Sequence, residues 1–274
     1  MNETQLEANT VSVCDYFDSG ASFWRDVYEA GDVFAVIHQE RRAAVLSMVD
    51  RLSLAPRSAV LEVGCGAGAT SVALAQRGFA VQATDVAPGM LALTRELVAQ
   101  AGVDHLVETR QCDAYKLSFP DQSFALALAI GVLPWLPSLD EPMREMVRVV
   151  QPGGHLIVTI DNRLRLNNII HPFAWTRVFG LNTPDWLAFW RMKRNHPVAS
   201  MCFTRDFDAR LPAYGLEKCD GITLGFGPFW GVAKVLPRWV GVKLHRILQT
   251  LADKDIPPFR STGSQYITVL KRVA

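Results

Sequence analysis

Three glycines and two aspartates are the residues of this chain whose types and spacing indicate a chemical function. Gly64, Gly66 and Gly68 alternate with small residues directly after the apolar stretch 60–63. Glycine permits positive φ angles and lets a ligand approach the backbone, and a helix that starts after such a turn offers unpaired N–H groups. Asp85 and Asp113 lie at the ends of two later segments with strand character. The pattern is typical of a site for a nucleotide-like ligand.

The elements that must position these residues follow a regular rhythm from position 58 onward. Short apolar segments predict strands near 59–63, 80–85, 105–111, 124–130 and 154–160. Longer amphipathic segments predict helices near 69–77, 88–101 and 139–150. Alternating strands and helices favour a doubly wound, mostly parallel α/β sheet, whose ligand site lies at the carboxyl ends of the strands. The segment after the fourth strand is too short for a long helix, so we expect a short turn there.

The regions on either side of this rhythm complete the predicted organisation. We expect an N-terminal helical flap (1–57) with a helix near 38–52, a cofactor-binding core (58–161), an aromatic-rich insertion or lid (162–212) and a C-terminal part that completes the sheet (213–274). In the last part, the pattern predicts strands at 217–226 and 264–270. It also predicts a basic helix at 240–251 that buries a stripe of Leu244, Leu248 and Leu251.

The composition is that of an ordinary globular protein. The 274 residues are 49% hydrophobic and 20% charged, with a formal net charge of +1, which argues against a global polybasic surface for nucleic acid. The five cysteines form no C-x-x-C pair, so we expect reduced thiols and no zinc site. The first residues lack the apolar stretch of a signal peptide, and the apolar run 124–136 is too short to span a bilayer. We therefore expect a cytoplasmic protein.

A dinucleotide-binding enzyme is one interpretation of the glycine turn. Residues 64–69 satisfy the pattern G-x-G-x-x-G/A, and Asp85 lies about 20 residues further on. Three features count against NAD: Glu62 places a charge inside the strand before the turn, Asp113 adds a second carboxylate, and a Pro-Gly-Gly sequence at 152–154 precedes the fifth strand.

Taken together, the ordered motifs resemble the class I S-adenosylmethionine-dependent methyltransferases. The matching segments are VLEVGCGAG (60–68), TDVAPGML (84–91), CDA (112–114), FPDQSF (119–124), IGVL (130–133) and RVVQPGG (148–154). The resemblance covers residues 38–161 and implies a Rossmann-like, seven-stranded sheet whose last strand is antiparallel.

The resemblance also implies which residues bind S-adenosylmethionine. Asp85 would accept from the ribose hydroxyls, Asp113 from the adenine amine, and Glu62 would orient the turn or the ammonium group. The remaining cofactor contacts implied by the family are Gly64, Cys65, Gly66, Gly68, Val86, Met90, Ala114, Ile130 and Gly131.

The acceptor side is defined less sharply. Methyl transfer is an in-line displacement that depends mainly on alignment, and it needs a base only if the nucleophile arrives protonated. We take His171 as the candidate base or acceptor contact, ahead of His38 and His196. Aromatic and polar residues predicted to contact the acceptor are Trp24, Tyr28, Trp135, Asn162 and Trp175.

Asp161 and Asn162 resemble the Asp-Asn pair of cation-dependent O-methyltransferases. The loop after the fourth strand has no carboxylate to complete such a site, so we expect no metal.

These observations predict methyl transfer to a small, hydrophobic or aromatic acceptor, at oxygen rather than nitrogen or carbon. The basic residues of the insertion are also compatible with binding of an anionic substrate group, with RNA binding or with a peripheral membrane contact. A tRNA or rRNA methyltransferase is the first alternative, although the loop after the fourth strand lacks the tetrapeptide of base-methylating enzymes. A cofactor-binding protein that does not methylate is the second.

Overall fold

A single twisted sheet forms the centre of the protein, whose computed structural model describes residues 3–170, 200–227 and 237–273. The strands are β1 (Ala59–Val63), β2 (Ala80–Asp85), β3 (Val107–Gln111), β4 (Phe124–Ala129), β5 (Val150–Asn162), β6 (Met201–Cys202), β7 (Leu216–Leu224) and β8 (Gln265–Arg272). Seven of them run in the order β3-β2-β1-β4-β5-β8-β7, and the two-residue β6 pairs with β5. Strands β1 to β5 are parallel, whereas β8 is antiparallel to both of its neighbours. The predicted fold class is confirmed.

The helices cover both faces of this sheet. They are α1 (Glu3–Ser19), α2 (Ala21–Asp26), α3 (Val33–Arg51), α4 (Ala69–Ala75), α5 (Pro88–Gln100), α6 (Asp140–Val149), α7 (Leu166–Ile170), α8 (Thr204–Arg210) and α9 (Arg238–Asp253). Short 3-10 turns lie at Leu133–Trp135, Leu211–Tyr214 and Phe259–Ser261. The first of these is the short turn predicted after the fourth strand.

Two apolar cores lie on opposite faces of the sheet. Side chains alternate between the faces along a strand. Val60 of β1 therefore packs against α3, α4 and α5, and its neighbour Leu61 packs against the α6 side. Both residues are fully buried, as is Ile157 on β5. The doubly covered sheet fixes the carboxyl ends of its parallel strands, where the candidate site lies.

Helix α3 begins five residues earlier than predicted, at Val33. The side chain of Asp32 caps it, since one carboxylate oxygen accepts from the N–H groups of Phe34 (2.9 Å) and Ala35 (3.0 Å). The predicted start at 38 was wrong because this cap, and not the apolar pattern, sets the first turn.

Strand β5 also starts earlier, at Val150 instead of 154. Its pairing with β4 shifts register between Phe124 and Leu126, and Gly153 has φ +75°. The Pro-Gly-Gly sequence therefore lies within an irregular start of the strand, not before it.

Helix α9 does not bury the predicted leucine stripe. Leu244 is 37% exposed, whereas the buried side chains are those of His245 and Gln249. His245 Nδ1 accepts from the Phe226 N–H (3.1 Å), and Gln249 accepts from the Gly225 N–H (3.0 Å). Polar contacts with the chain after β7 determine which face of this helix is buried.

The domain boundaries proposed from the sequence remain a prediction. Most of the proposed insertion, residues 171–199, lies outside the described residues. Within the described ranges, no helix is both long enough and apolar enough to cross a membrane.

Candidate functional site

The glycine turn after β1 has the backbone conformation that its composition predicts. Gly64, Gly66 and Gly68 have φ angles of +70°, +55° and +85°, in the region where side chains carry strain. A Cβ atom at Gly68 would also lie 2.9 Å from both backbone and side-chain atoms of Thr94. The Thr94 hydroxyl donates to the Gly66 carbonyl (2.8 Å), so α5 holds the turn in place.

Asp85 ties the end of β2 to this turn. One carboxylate oxygen accepts from the Gly66 N–H (3.0 Å) and the other from the Ala87 N–H (2.9 Å). Burial raises the pKa of Asp85, and these backbone hydrogen bonds act in the opposite direction. Each oxygen retains a second lone pair, so the carboxylate can still accept from a ligand.

Asp113 lies just beyond β3 and is covered by α1. Its carboxylate accepts from the Tyr115 N–H (2.9 Å) and from the Thr10 hydroxyl (3.1 Å). Eight residues further along α1, Asp18 accepts from the Gly89 N–H at the start of α5 (2.8 Å). Because these α1 residues are about two turns apart, one face of the helix lies over the ends of β2 and β3.

Glu62 lies inside β1 directly below the turn and is 2% exposed. The Ser71 hydroxyl donates to its carboxylate at 2.5 Å, and no described cation pairs with it. Burial raises the pKa of Glu62 to about 8. A positively charged ligand group at this position would therefore favour ionisation of the carboxyl group.

These residues surround one cavity of about 270 Å³ at the carboxyl ends of the strands. Apart from Gly68, which starts α4 behind the turn, all residues predicted to bind the cofactor line it: Glu62, Gly64, Cys65, Gly66, Asp85, Val86, Met90, Asp113, Ala114, Ile130 and Gly131. Of the residues predicted to contact the acceptor, Trp24, Tyr28 and Trp135 line the same cavity.

Asn162 is not at the cavity, contrary to the prediction. Its side chain is fully buried, and its amide donates to the carbonyls of Ser261 and Gly263, at 2.8 Å each. The amide holds together the ends of β5 and β8, which leaves it unavailable to a ligand. The other predicted acceptor-side residues, His171, Trp175 and His196, lie outside the described residues.

Arg41 is a cavity residue that the sequence analysis missed. It is 7% exposed and makes no hydrogen bond or ion pair with a described residue, and its Nε is buried without a partner. Its guanidinium lies against Gly131, where a Cβ would be 3.0 Å from Nη1. Among the described residues that line the cavity, it is the only arginine or lysine. The available signal was its position between Ile37 and Val45, on the apolar side of α3 at a spacing of four.

His38, the other basic side chain at the cavity, was the weaker candidate in the sequence. Its Nδ1 lies 2.9 Å from the Phe34 carbonyl, so Nδ1 carries the proton and Nε2 keeps its lone pair. Burial, followed by the charge of Arg41, lowers the pKa of His38 to about 4. The imidazole is thus neutral at physiological pH.

Comparison with known proteins identifies the class that this fold and site define. A family model described as a methyltransferase domain matches residues 61–158. Ubiquinone biosynthesis O-methyltransferase from Pseudomonas entomophila (strain L48) is 33% identical over 240 residues, which cover 87% of this chain and 95% of that protein. A sterol 4-C-methyltransferase from Caenorhabditis elegans is 32% identical over 111 residues, and this match spans 40% of the chain and only 33% of the worm protein.

Solved structures agree on the fold. Magnesium protoporphyrin IX methyltransferase from Synechocystis PCC 6803 with bound SAH has a TM-score of 0.65 at 16% identity, with 96% of this chain and 99% of that chain covered. The chain belongs to the class I S-adenosylmethionine-dependent methyltransferases. Its cofactor is S-adenosylmethionine.

Proposed function

We propose that the protein transfers a methyl group from S-adenosylmethionine to an oxygen atom of a small, hydrophobic or aromatic acceptor, without a metal ion. The observation that carries this proposal is the composition of the cavity. Its lining combines the glycine turn, Asp85 and Asp113 with aromatic side chains such as Trp24 and Trp135. We assign the polar residues to a nucleoside site and the aromatic residues to an adjoining acceptor site.

The nucleoside part fits the cofactor by its donor and acceptor groups. The remaining lone pairs of Asp85 would accept from the two ribose hydroxyls, and Asp113 would accept from the exocyclic amine of adenine. Val86 and Met90, which also line the cavity, would pack against the base.

The amino-acid tail requires one group of each charge, and the cavity offers both. The guanidinium of Arg41, whose Nε is buried without a partner, would bind the tail carboxylate, and the buried Glu62 would accept from the tail ammonium. Charge-assisted hydrogen bonds of this kind are about twice as strong as neutral ones. The ligand would therefore provide hydrogen-bonding partners of opposite charge, which neither side chain has among the described residues.

When bound, S-adenosylmethionine would supply an electrophilic methyl group to the nucleophile of the acceptor. The chain's own contribution is to align the acceptor and to exclude water with the aromatic wall. Alignment of this kind corresponds to an effective molarity worth up to about 7–11 kcal/mol. The ubiquinone O-methyltransferase relatives support oxygen as the methylated atom.

Calorimetric titration with S-adenosylhomocysteine directly tests the part of the proposal that concerns cofactor binding. We expect wild-type protein to bind, and Asp85→Ala to weaken binding about 100-fold because two hydrogen bonds to a charged acceptor are lost. Asp104→Ala, in an exposed loop, is the matched control and should bind as wild type does. Failure of the wild type to bind would refute the proposal.

Methyl transfer itself is tested by mass spectrometry of small molecules from the source cell after incubation with protein and S-adenosylmethionine. An increase of one methyl group on an oxygen atom is expected. Products that appear only in RNA would favour the nucleic-acid alternative, and cofactor binding without any product would favour the non-methylating alternative.

A further inference from the structure

Helix α9 exposes large apolar side chains. Trp239 is 66% exposed, Ile247 50% and Leu244 37%. Leu244 and Ile247 are three residues apart, so they share one side of the helix, opposite to the buried Gln249. A helix at a protein surface normally buries its apolar side and exposes its polar side. In α9 the fully buried side chains are polar, whereas apolar ones face solvent, which indicates that the exposed face has a further contact.

Cationic side chains lie among these apolar ones. Together they line one open groove along the helix: Arg238, Trp239, Lys243, Arg246 and Ile247. The helix has no acidic residue before Asp253, at its end. Arg238 and Lys243 make no ion pair with a described residue. The Arg246 Nε atom lies 3.9 Å from one carboxylate oxygen of Glu40, whose other oxygen contacts His245. The exposed face of α9 therefore carries a net positive charge.

Apolar and cationic groups on one face restrict the kind of partner. An anionic bilayer offers lipid phosphates to the cations and, just below them, hydrocarbon to the apolar side chains. Indole rings such as that of Trp239 concentrate at this boundary. A nucleic acid offers phosphates but no hydrocarbon for Leu244 and Ile247. A second copy of the chain, docked face to face about a two-fold axis, would bring the same cations together.

The groove lies next to the wall of the candidate active-site cavity. Gly31, in the loop between α2 and α3, also lines the groove. Tyr28 and Phe34, three residues before and after it, line the cavity. Three residues of extended chain span at most about 10 Å. A surface that binds at the groove therefore lies close to the cavity wall.

We propose that α9 binds the surface of an anionic lipid bilayer. Trp239, Leu244 and Ile247 enter the headgroup region, and the cations Arg238 and Lys243 pair with lipid phosphates. Apolar area that the free protein exposes to water is buried there, and each cation obtains a counter-charge. This role goes beyond the proposed methyltransferase function and does not depend on it.

Co-sedimentation with vesicles tests the lipid surface and the residues that bind it. The probes are vesicles of pure phosphatidylcholine and vesicles of phosphatidylcholine and phosphatidylglycerol in equal parts. We expect wild-type protein to bind the anionic vesicles more tightly by about tenfold or more, and added salt to reduce this difference. Lys243→Gln should weaken binding to anionic vesicles about fivefold, because one cation near the surface is lost. Trp239→Ser and Ile247→Ser together should weaken it by about tenfold or more, because their apolar area is lost.

Two exposed residues near the end of the chain provide matched controls. Lys271→Gln and Val273→Ser should bind both kinds of vesicle as wild type does. Because all substituted side chains are exposed, every variant should unfold at the urea concentration of the wild type, which separates loss of lipid binding from loss of the fold. The assay contains neither cofactor nor acceptor, so its outcome is independent of the proposed function.

Fluorescence measures whether the indole of Trp239 enters the bilayer. Phosphatidylcholine brominated on its acyl chains quenches tryptophans that contact it, so Trp239→Phe should bind the vesicles and lose part of the quenching seen with wild type. Equal quenching of the two proteins would overturn the proposal, as would absence of binding to anionic vesicles or unchanged binding of Lys243→Gln. Tighter binding of a single-stranded RNA oligonucleotide than of anionic vesicles would overturn it in favour of nucleic acid, and a dimer in solution that Trp239→Ser dissociates would overturn it in favour of a second copy.

Discussion

Arg41 is a buried cation that makes no hydrogen bond or ion pair with a described residue, although its charge acts to lower the pKa of the nearby Asp161. Removing a charged group from water costs several kcal/mol even after the protein relaxes, and pairing with an opposite charge offsets this cost. Arg41 forms no such ion pair among the described residues, and it lines the cavity beside Gly131. A buried guanidinium without a hydrogen-bonding partner lowers the stability of the free protein, and an anionic ligand group would supply that partner.

Substitution of Arg41 should therefore weaken only the binding of the amino-acid tail of the cofactor. In Arg41→Met, we expect S-adenosylhomocysteine to bind about tenfold or more weakly because a charge-assisted bond to the tail carboxylate is lost. Binding of 5′-methylthioadenosine, which has no amino-acid tail, should not change. Isothermal titration of both ligands to the wild type and the variant measures the difference.

The same variant gives a second readout on the free protein. Because an unpaired buried charge has been removed, Arg41→Met should unfold at a urea concentration equal to or above that of the wild type. Equal loss of affinity for both ligands would contradict the assignment of Arg41 to the tail.

At the level of elements, the local sequence pattern was sufficient to predict the parallel strands and the helices between them. It was insufficient for the elements outside this core. The parallel strands and the helices between them were predicted because each has an apolar period and a glycine or proline at its end. Helix α9 was predicted with the wrong buried face, since His245 and Gln249 are buried through partners that are distant in sequence. Arg41 was missed for a related reason. Its guanidinium lies beside Gly131, which is 90 residues further along the chain, so the local sequence pattern around Arg41 does not indicate that it lines the cavity.

Helix α1 is the element whose behaviour should respond most to the cofactor. The Thr10 hydroxyl donates to Asp113 and the Cys14 thiol to the Val86 carbonyl, and both of these partners line the cavity. A bound ligand adds contacts under this helix, which lowers the frequency of local opening.

We therefore expect saturating S-adenosylhomocysteine to slow amide hydrogen exchange in α1, measured by mass spectrometry of peptides that cover residues 8–19. Peptides from α6, which packs on the opposite face of the sheet and away from the cavity, serve as the internal control. Unchanged exchange in α1 would show that the helix does not close over the ligand.

At the level of the whole molecule, the C-terminal part of the chain helps to position the cavity. Helix α3 presents Arg41 to the cavity and Glu40 to the other side, where the Glu40 carboxylate lies 2.7 Å from Nε2 of His245 on α9. His245 is fully buried and its Nδ1 accepts from the Phe226 N–H, so Nε2 carries the proton that it donates to Glu40. This contact joins residues 205 positions apart.

Removal of the imidazole should measure what this long-range contact contributes. His245→Ala leaves the Phe226 N–H and the Glu40 carboxylate without partners and opens a cavity, so we expect the free energy of unfolding to fall by about 2–4 kcal/mol. Glu40→Gln alone should lower the free energy of unfolding by less, since the Glu40 side chain is 31% exposed.

In the double variant the losses of unfolding free energy should be less than additive, because each substitution removes the same contact. Urea denaturation of the four proteins gives this coupling, with the exposed His105→Ala as a control that should leave the free energy of unfolding unchanged. Strict additivity would mean that the contact does not connect α9 to α3 energetically.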